Sequence, residues 1–360
     1  MPHRTGKLQN RRDYSVSFVR KLRFIVSRGK LALAMKLARI SVKRMITGSN
    51  PPFRQIELQT TYACNLRCVH CSAASFSQVK APLSIADYAD IARQCREHRI
   101  PMVSFTGGEP LCDPRLDEII SQFDTGSTLL SVTTNGTLLT EQRIRKLKAL
   151  GVDAFVISLD GPTPEINDPI RGEGVYSKVI HAVEAARSLG VFVMLIHALS
   201  ANSMRNGVFD GLIDLAMRLD VPLHVSLAAP VGNWADSTAE NHLLSSLDVK
   251  LLTERQKRHP FLRRDLDGNY SGRGCPAGTE RFVISPTGEV MGCTKIQATF
   301  GNIRERSMLA LRDDMAQIEV FRTSPPLCLA AEDTVFLKTY LPRLYGRKDV
   351  PIPADEFFME

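Results

Sequence analysis

Three cysteines fall within eight residues, Cys64-Asn65-Leu66-Arg67-Cys68-Val69-His70-Cys71. Thiolates are soft ligands, and a cubane iron–sulfur cluster needs several of them within a few ångströms of one another. One short loop delivers three here. A cluster held by three cysteines leaves one iron without a protein ligand, and that iron can hold a chelating small molecule. Zinc is the competing reading, but a structural zinc site asks for four protein ligands. The loop's other donor, His70, adjoins Cys71, which makes joint ligation sterically awkward. Disulfides suit a small secreted chain better than one of 360 residues.

The remaining cysteines are 95, 112, 275, 293 and 328. Cys275, twelve residues, Gly288, four residues and Cys293 enclose a hairpin signal: Arg281–Ser285, the turn Pro286-Thr287-Gly288, then Glu289–Cys293. Cys95 sits mid-helix and reads as core. Cys112 follows the Glu109 loop and is a candidate hydrogen-atom donor. Four further motifs end apolar runs. Thr106-Gly107-Gly108-Glu109-Pro110 joins glycines, which let backbone approach closely, to a carboxylate that can accept from an ammonium group. Thr133-Thr134-Asn135-Gly136 is a polar turn. Ser158-Leu159-Asp160-Gly161 offers a hydroxyl and a carboxylate suited to ribose. Arg171-Gly172 offers a fork for a carboxylate.

These motifs need elements to hold them. Predicted strands are Gln55–Thr60, Met102–Thr106, Leu129–Thr134, Ala154–Leu159, Phe192–His197 and Leu223–Leu227. Predicted helices between them are Ser84–His98, Pro114–Phe123, Glu141–Leu150, Val175–Leu189 and Arg205–Leu219. The alternation implies parallel strands with right-handed crossovers. Six such units predict an α/β fold, a partial (β/α)6 TIM-type barrel. Chemistry in such folds collects at the carboxyl ends of strands, where each motif falls. Past Pro230-Val231-Gly232 the alternation stops, and residues 240–258 read as a helix. The expected organisation is a basic helical arm over 1–50, a barrel over 54–235, a smaller α+β cysteine-bearing region over 236–335 and a tail over 336–360.

The net charge of +8 is unevenly distributed. Residues 1–50 hold 13 Lys and Arg against Asp13 alone, so that segment carries +12 and the rest −4. A nucleic-acid-coating protein is therefore the weaker reading of the basic pI. Residues 14–47 read as a basic amphipathic helix or helix pair, which either lies on an anionic membrane surface or packs on the domain. There is no signal-peptide run and no apolar stretch of spanning length, so the expected home is cytoplasmic, with peripheral contact at the inner membrane face as the arm's alternative.

The cysteine loop after the first strand, followed in order by the Gly-Gly-Glu, Ser-x-Asp-Gly and Arg171 motifs, resembles the radical S-adenosylmethionine (radical SAM) superfamily over residues 54–232. The resemblance implies a [4Fe–4S] cluster on Cys64, Cys68 and Cys71 that chelates S-adenosylmethionine and cleaves it to a 5′-deoxyadenosyl radical. It implies cofactor contacts from Gly107, Gly108, Glu109 (methionine amino group), Asn135, Ser158, Asp160 (ribose) and Arg171 (methionine carboxylate). His70 departs mildly from the family, which often has an aromatic residue there. Cys275 and Cys293 resemble the auxiliary-cluster region called SPASM, or the shorter twitch. That region's dense run of cysteines is missing, so the resemblance implies one auxiliary cluster on Cys275, Cys293 and Cys328, its fourth site open, taken by substrate, or held by a non-cysteine ligand such as Glu332 or Asp333. It further implies a reducing partner such as flavodoxin or ferredoxin. The expected substrate is a small molecule: a sugar, nucleoside or cofactor precursor. A ribosomal-peptide maturase is the alternative, and a non-catalytic iron–sulfur protein the remote one. The general acid or base, the net redox change and the oligomeric state are not written in these motifs.

Overall fold

The computed structural model describes residues 30–47, 53–76, 81–235, 239–267 and 274–359. All six predicted strands form: β1 (Gln55–Thr61), β2 (Met102–Gly107), β3 (Leu129–Thr134), β4 (Ala154–Ser158), β5 (Phe192–Leu199) and β6 (Leu223–Leu227). Each pairs in parallel with the next. Alternate residues divide between two faces. Ile56, Leu58, Val103, Phe105, Leu130, Val132, Val193 and Leu195 join the buried core under the crossover helices. Glu57, Gln59, Ser104, Thr133, His224 and Ser226 occupy the other, inner face.

The parallel sheet is wider than six strands. β7 (Leu262–Arg264) adds to β6, and β8 (Arg281–Ile284) adds to β1 in the register Gln55↔Arg281 to Leu58↔Ile284. β7, Leu-Arg-Arg, leaves little periodicity in sequence, whereas β8 is the first strand of the predicted hairpin. The predicted hairpin joins β8 to β9 (Glu289–Cys293). Gly288 at its turn has φ +92, and a Cβ there would lie 2.6 Å from Asn302 Oδ1. β10 (Ile296–Asn302) and β11 (Ile352–Pro353) complete an open sheet ordered β11-β10-β9-β8-β1-β2-β3-β4-β5-β6-β7. The expected division at 235/236 therefore cuts through one sheet: the cysteine-bearing region continues the barrel rather than standing beside it.

The expected 336–360 tail is also core. Phe336 and Phe357 are buried, and their rings meet those of Tyr340 and Phe358. Of the basic arm, the described part is the helix Leu31–Thr47; residues 1–29 and 48–52 lie outside the described residues. Leu33 and Ala34 bury against Leu129 at the amino end of β3. Lys30 Nζ donates to Thr128 O at 2.8 Å and to Asp153, and Lys36 Nζ donates to Ile100 O (2.9 Å) and Ser127 O (3.0 Å). All four acceptors precede strands. The helix thus packs on the base of the barrel, opposite the end that carries the motifs, with Leu31 and Met35 facing outward.

Candidate active site and auxiliary cysteine centre

The loop that follows β1 is held from two sides. On one, Gly108 N donates to Thr61 O (2.7 Å) and Glu109 N to Ala63 O (2.8 Å). A Cβ on Gly107 would lie 2.3 Å from Thr61 O, and one on Gly108 2.5 Å from Ala63 O, so only glycine lets the two loops touch. On the other, Asn233 Nδ2 donates to Cys68 O (3.0 Å) and Asn233 N to Cys71 O (3.1 Å). Gly232 lies so close under Cys71 that a Cβ would stand 2.0 Å from its carbonyl oxygen.

The three thiols are half-buried. Asn135 Nδ2 points at Cys64 Sγ (3.8 Å) and bonds Asn65 Oδ1 (2.9 Å), while its Oδ1 accepts from Thr137 N and Oγ1. Burial raises the Cys68 and Cys71 thiols, and their neighbours on the loop add to it, against the opposing pull of Arg171. Three cysteine sulfurs on one short loop are a soft donor set that suits iron. Among the described residues no three His, Cys, Asp or Glu side chains converge as a single metal ion requires. A cubane takes its thiolates at separate corners, and three half-buried sulfurs on one short loop are a donor set of that kind.

The two acidic candidates face inward. Glu109 is fully buried; its Oε1 accepts from Thr134 Oγ1 (2.7 Å) and Leu111 N (3.1 Å), and its Oε2 from Asn135 N (2.7 Å). Burial raises its pKa despite those donors. Its carboxylate thus joins the β2 and β3 loops through three donors. Asp160 is 2 % exposed. Its Oδ1 accepts from Ala198 N (2.9 Å) and is 2.8 Å from His197 Nδ1. Its Oδ2 lies 2.7 Å from Arg171 Nε and 3.2 Å from His70 Nε2, with neither approach aligned for a hydrogen bond. Burial alone would raise this carboxyl, but Arg171, His70 and His197 outweigh it and hold it far below the ordinary range. Asp160 is thus a buried counter-ion for Arg171. Burial keeps His70 neutral, with its pKa lowered to about 4. Ser158 ends β4 on the inner face, half-buried. Cys95 is core, as expected, and Cys112 Sγ lies 3.9 Å from Asn65 Oδ1 beside the cysteine loop.

The second set also gathers. Cys275 precedes β8, Cys293 ends β9, and Cys328 lies in the loop beyond; all three are buried. Burial pushes Cys275 up to about 11 and Cys328 up to about 12, each sensing the other cysteines. Two cations attend them. Arg281 reaches Cys293 Sγ at 3.9 Å, and Lys295 N donates to that sulfur at 3.5 Å. Burial would lower the Lys295 ammonium, but Cys328, Asp265 and Cys293 reverse the direction. Three buried thiols balanced by two cations fit an auxiliary cluster. Of the candidate fourth ligands, Asp333 is corrected: its Oδ1 caps the helix Thr334–Thr339 through Val335 N (3.0 Å) and Phe336 N (2.9 Å). Glu332 Oε2 accepts from Cys328 N (2.7 Å), beside the sulfurs. Sequence reading missed His197, Asn233, Asp265, Arg281 and Lys295. Only Lys295, two residues past Cys293, carried a signal.

Residues 58–201 match the radical SAM superfamily, and residues 275–330 match SPASM, an iron–sulfur cluster-binding domain. The AdoMet-dependent heme synthase of Methanosarcina barkeri is 28% identical over 306 residues, covering 77% of this chain and 86% of that protein. Mycofactocin maturase MftC of Mycobacterium tuberculosis is 29% identical over 249 residues, covering 65% of this chain and 63% of the maturase. Among solved structures, SuiB of Streptococcus suis bound to its precursor peptide SuiA superposes with a TM-score of 0.59 at 15% identity, covering 80% of this chain and 70% of SuiB. That likeness speaks to the fold.

Proposed function

Since the chain belongs to the radical S-adenosylmethionine superfamily and carries an iron–sulfur SPASM region, we propose that it is a biosynthetic enzyme that takes a hydrogen atom from a small-molecule substrate in the open barrel. With its [4Fe–4S] cluster and S-adenosylmethionine bound, that pair supplies the 5′-deoxyadenosyl radical and so the hard step. The chain's own part is to bind, orient and exclude water. Cys64, Cys68 and Cys71 hold the cluster, and Asn135 steadies the Cys64 sulfur. Arg171, backed by Asp160, offers its guanidinium to the methionine carboxylate. Ser158 offers its hydroxyl to the ribose. Cys275, Cys293 and Cys328 hold the auxiliary cluster, with Lys295 and Arg281 offsetting its thiolate charge.

The observation that carries the small-molecule reading is the barrel's inner face. Gln59 is 4% exposed, and its Oε1 has no partner. Beside it stand Thr106, whose Oγ1 is likewise unpartnered, and the Ser104–Thr133 hydroxyl pair at 3.4 Å. Such a wall suits a compact molecule rich in hydrogen-bonding groups. The relatives matched over at least 80% of their own length are named for making heme, which supports the small-molecule reading. The maturase match, at 29% identity, keeps a peptide substrate as the alternative. Protein reconstituted anaerobically with iron, sulfide and a reductant decides between them. We expect 5′-deoxyadenosine to rise when the small-molecule fraction of source-cell extract is added. A rise confined to the macromolecular fraction would overturn the reading in favour of a peptide.

A further inference from the structure

The auxiliary segment touches the first cysteine loop directly. Gln297, on β10, is 1% exposed, and its Nε2 donates at 3.0 Å to the carbonyl oxygen of Ser72, the residue after Cys71. The contact joins residues 225 apart in sequence. It completes a clamp on the carboxyl end of the loop, where Asn233 already bonds Cys68 O and Cys71 O. Along the chain, Gln297 lies four residues past Cys293, one of the second set of thiols. Cys293 and Ile296 are register partners across the tight turn from β9 to β10, and that turn carries the Lys295 N to Cys293 Sγ bond at 3.5 Å. A short turn, with Lys295, Ile296 and Gln297 buried, thus runs from an auxiliary ligand to the side chain that holds the first loop.

We propose that Gln297 is a positioning residue that couples the two centres: metal held by Cys293 fixes the β9–β10 turn, the turn fixes Gln297, and Gln297 sets the position of Cys71 and its neighbours. The coupling is mechanical, carried by a packed strand and an aligned hydrogen bond, and needs no electron transfer between the centres. It rests on the reading that both cysteine sets hold clusters. Gln297→Met keeps length and removes the donor. A hydrogen bond of ordinary net strength corresponds to roughly a fivefold effect on a linked equilibrium.

The test is a double-mutant cycle of Gln297→Met and Cys293→Ala on reconstituted full-length protein. It reads iron content, the electron paramagnetic resonance spectrum of the reduced first cluster and the dissociation constant of S-adenosylmethionine. We expect each single variant to weaken S-adenosylmethionine binding about fivefold and to shift the first cluster's spectrum, and the double variant to be no worse than either. Additive effects, or a Gln297→Met protein that matches wild type in spectrum and affinity, would overturn the coupling. If Gln297→Met fails to fold, Cys293→Ala alone still decides: an unchanged first-cluster spectrum and affinity sinks the idea. Wild-type protein that loads iron at only one cysteine set would instead count against the two-cluster reading, which the iron content reveals independently.

Discussion

Asp265 and Lys295 reach each other from opposite edges of the parallel sheet, Lys295 Nζ standing 3.5 Å from Asp265 Oδ2. Asp265 directly follows β7 and Lys295 follows β9, and among the described residues no backbone pairing joins β7 to β8. Asp265 also lies 3.5 Å from Arg281 and 3.1 Å from His224, and Lys295 Nζ donates to Leu227 O at 2.8 Å. Side chains therefore close the seam that hydrogen-bonded strands leave open, immediately beside the auxiliary thiols.

Removing one partner of such a pair leaves the other charge without its counter-ion. Lys295→Met should lower unfolding stability by about 3 kcal/mol and lose auxiliary iron while iron at the first centre is retained. Chemical denaturation and iron quantification check both. Undiminished stability with full iron would mean that the seam is held by β8 packing alone.

The two cysteine sets should lose function separately. Cys68→Ala should stay folded, abolish S-adenosylmethionine cleavage and keep the auxiliary iron. Cys293→Ala should lose about half of the iron, as expected if each set binds one cluster, while cleavage persists at reduced affinity. Iron assay and 5′-deoxyadenosine quantification distinguish the pair. Unchanged cleavage by Cys68→Ala would remove the first loop from the chemistry.

Gly108→Ala tests whether the glycine pair serves the loop. The new methyl would stand 2.5 Å from Ala63 O and Tyr62 O, both backbone, so the cysteine loop has to move. Overpacking of this kind costs about 1–3 kcal/mol. The expected outcome is a folded protein with much reduced iron at the first centre. A variant that loads iron fully would show that the loop tolerates the shift.

Elements with strong periodicity were legible in the sequence. The six strands and the hairpin are legible because each carries apolar or β-branched residues, in β1 and β6 at alternate positions, between turn signals. β7, three residues with two arginines, has no such run, and its pairing with β6 is a tertiary outcome. The cysteines announced themselves by spacing. Glu109 and Asp160 were found as residues, but their orientation was not: whether a carboxylate turns to a ligand or to Thr134 and Arg171 depends on partners distant in sequence. Asn233 and Gln297 were invisible for the same reason, since an isolated amide carries no pattern.

The basic arm gives a pH-dependent prediction. Burial against the barrel base lowers the Lys36 ammonium from 10.5 to about 8, more than Asp124 restores. A docked Lys36 loses its proton near pH 8, whereas an undocked one keeps it to 10.5. Between those values the docked form binds fewer protons, so docking of the helix Leu31–Thr47 strengthens as pH rises through that window and weakens as pH falls toward 8. Hydrogen exchange of that helix, corrected for the intrinsic pH dependence of exchange, should show greater protection at about pH 10 than at about pH 7.5. Lys36→Met removes the titrating group and should flatten the dependence. An equal gain in the variant would assign the effect to a group other than Lys36.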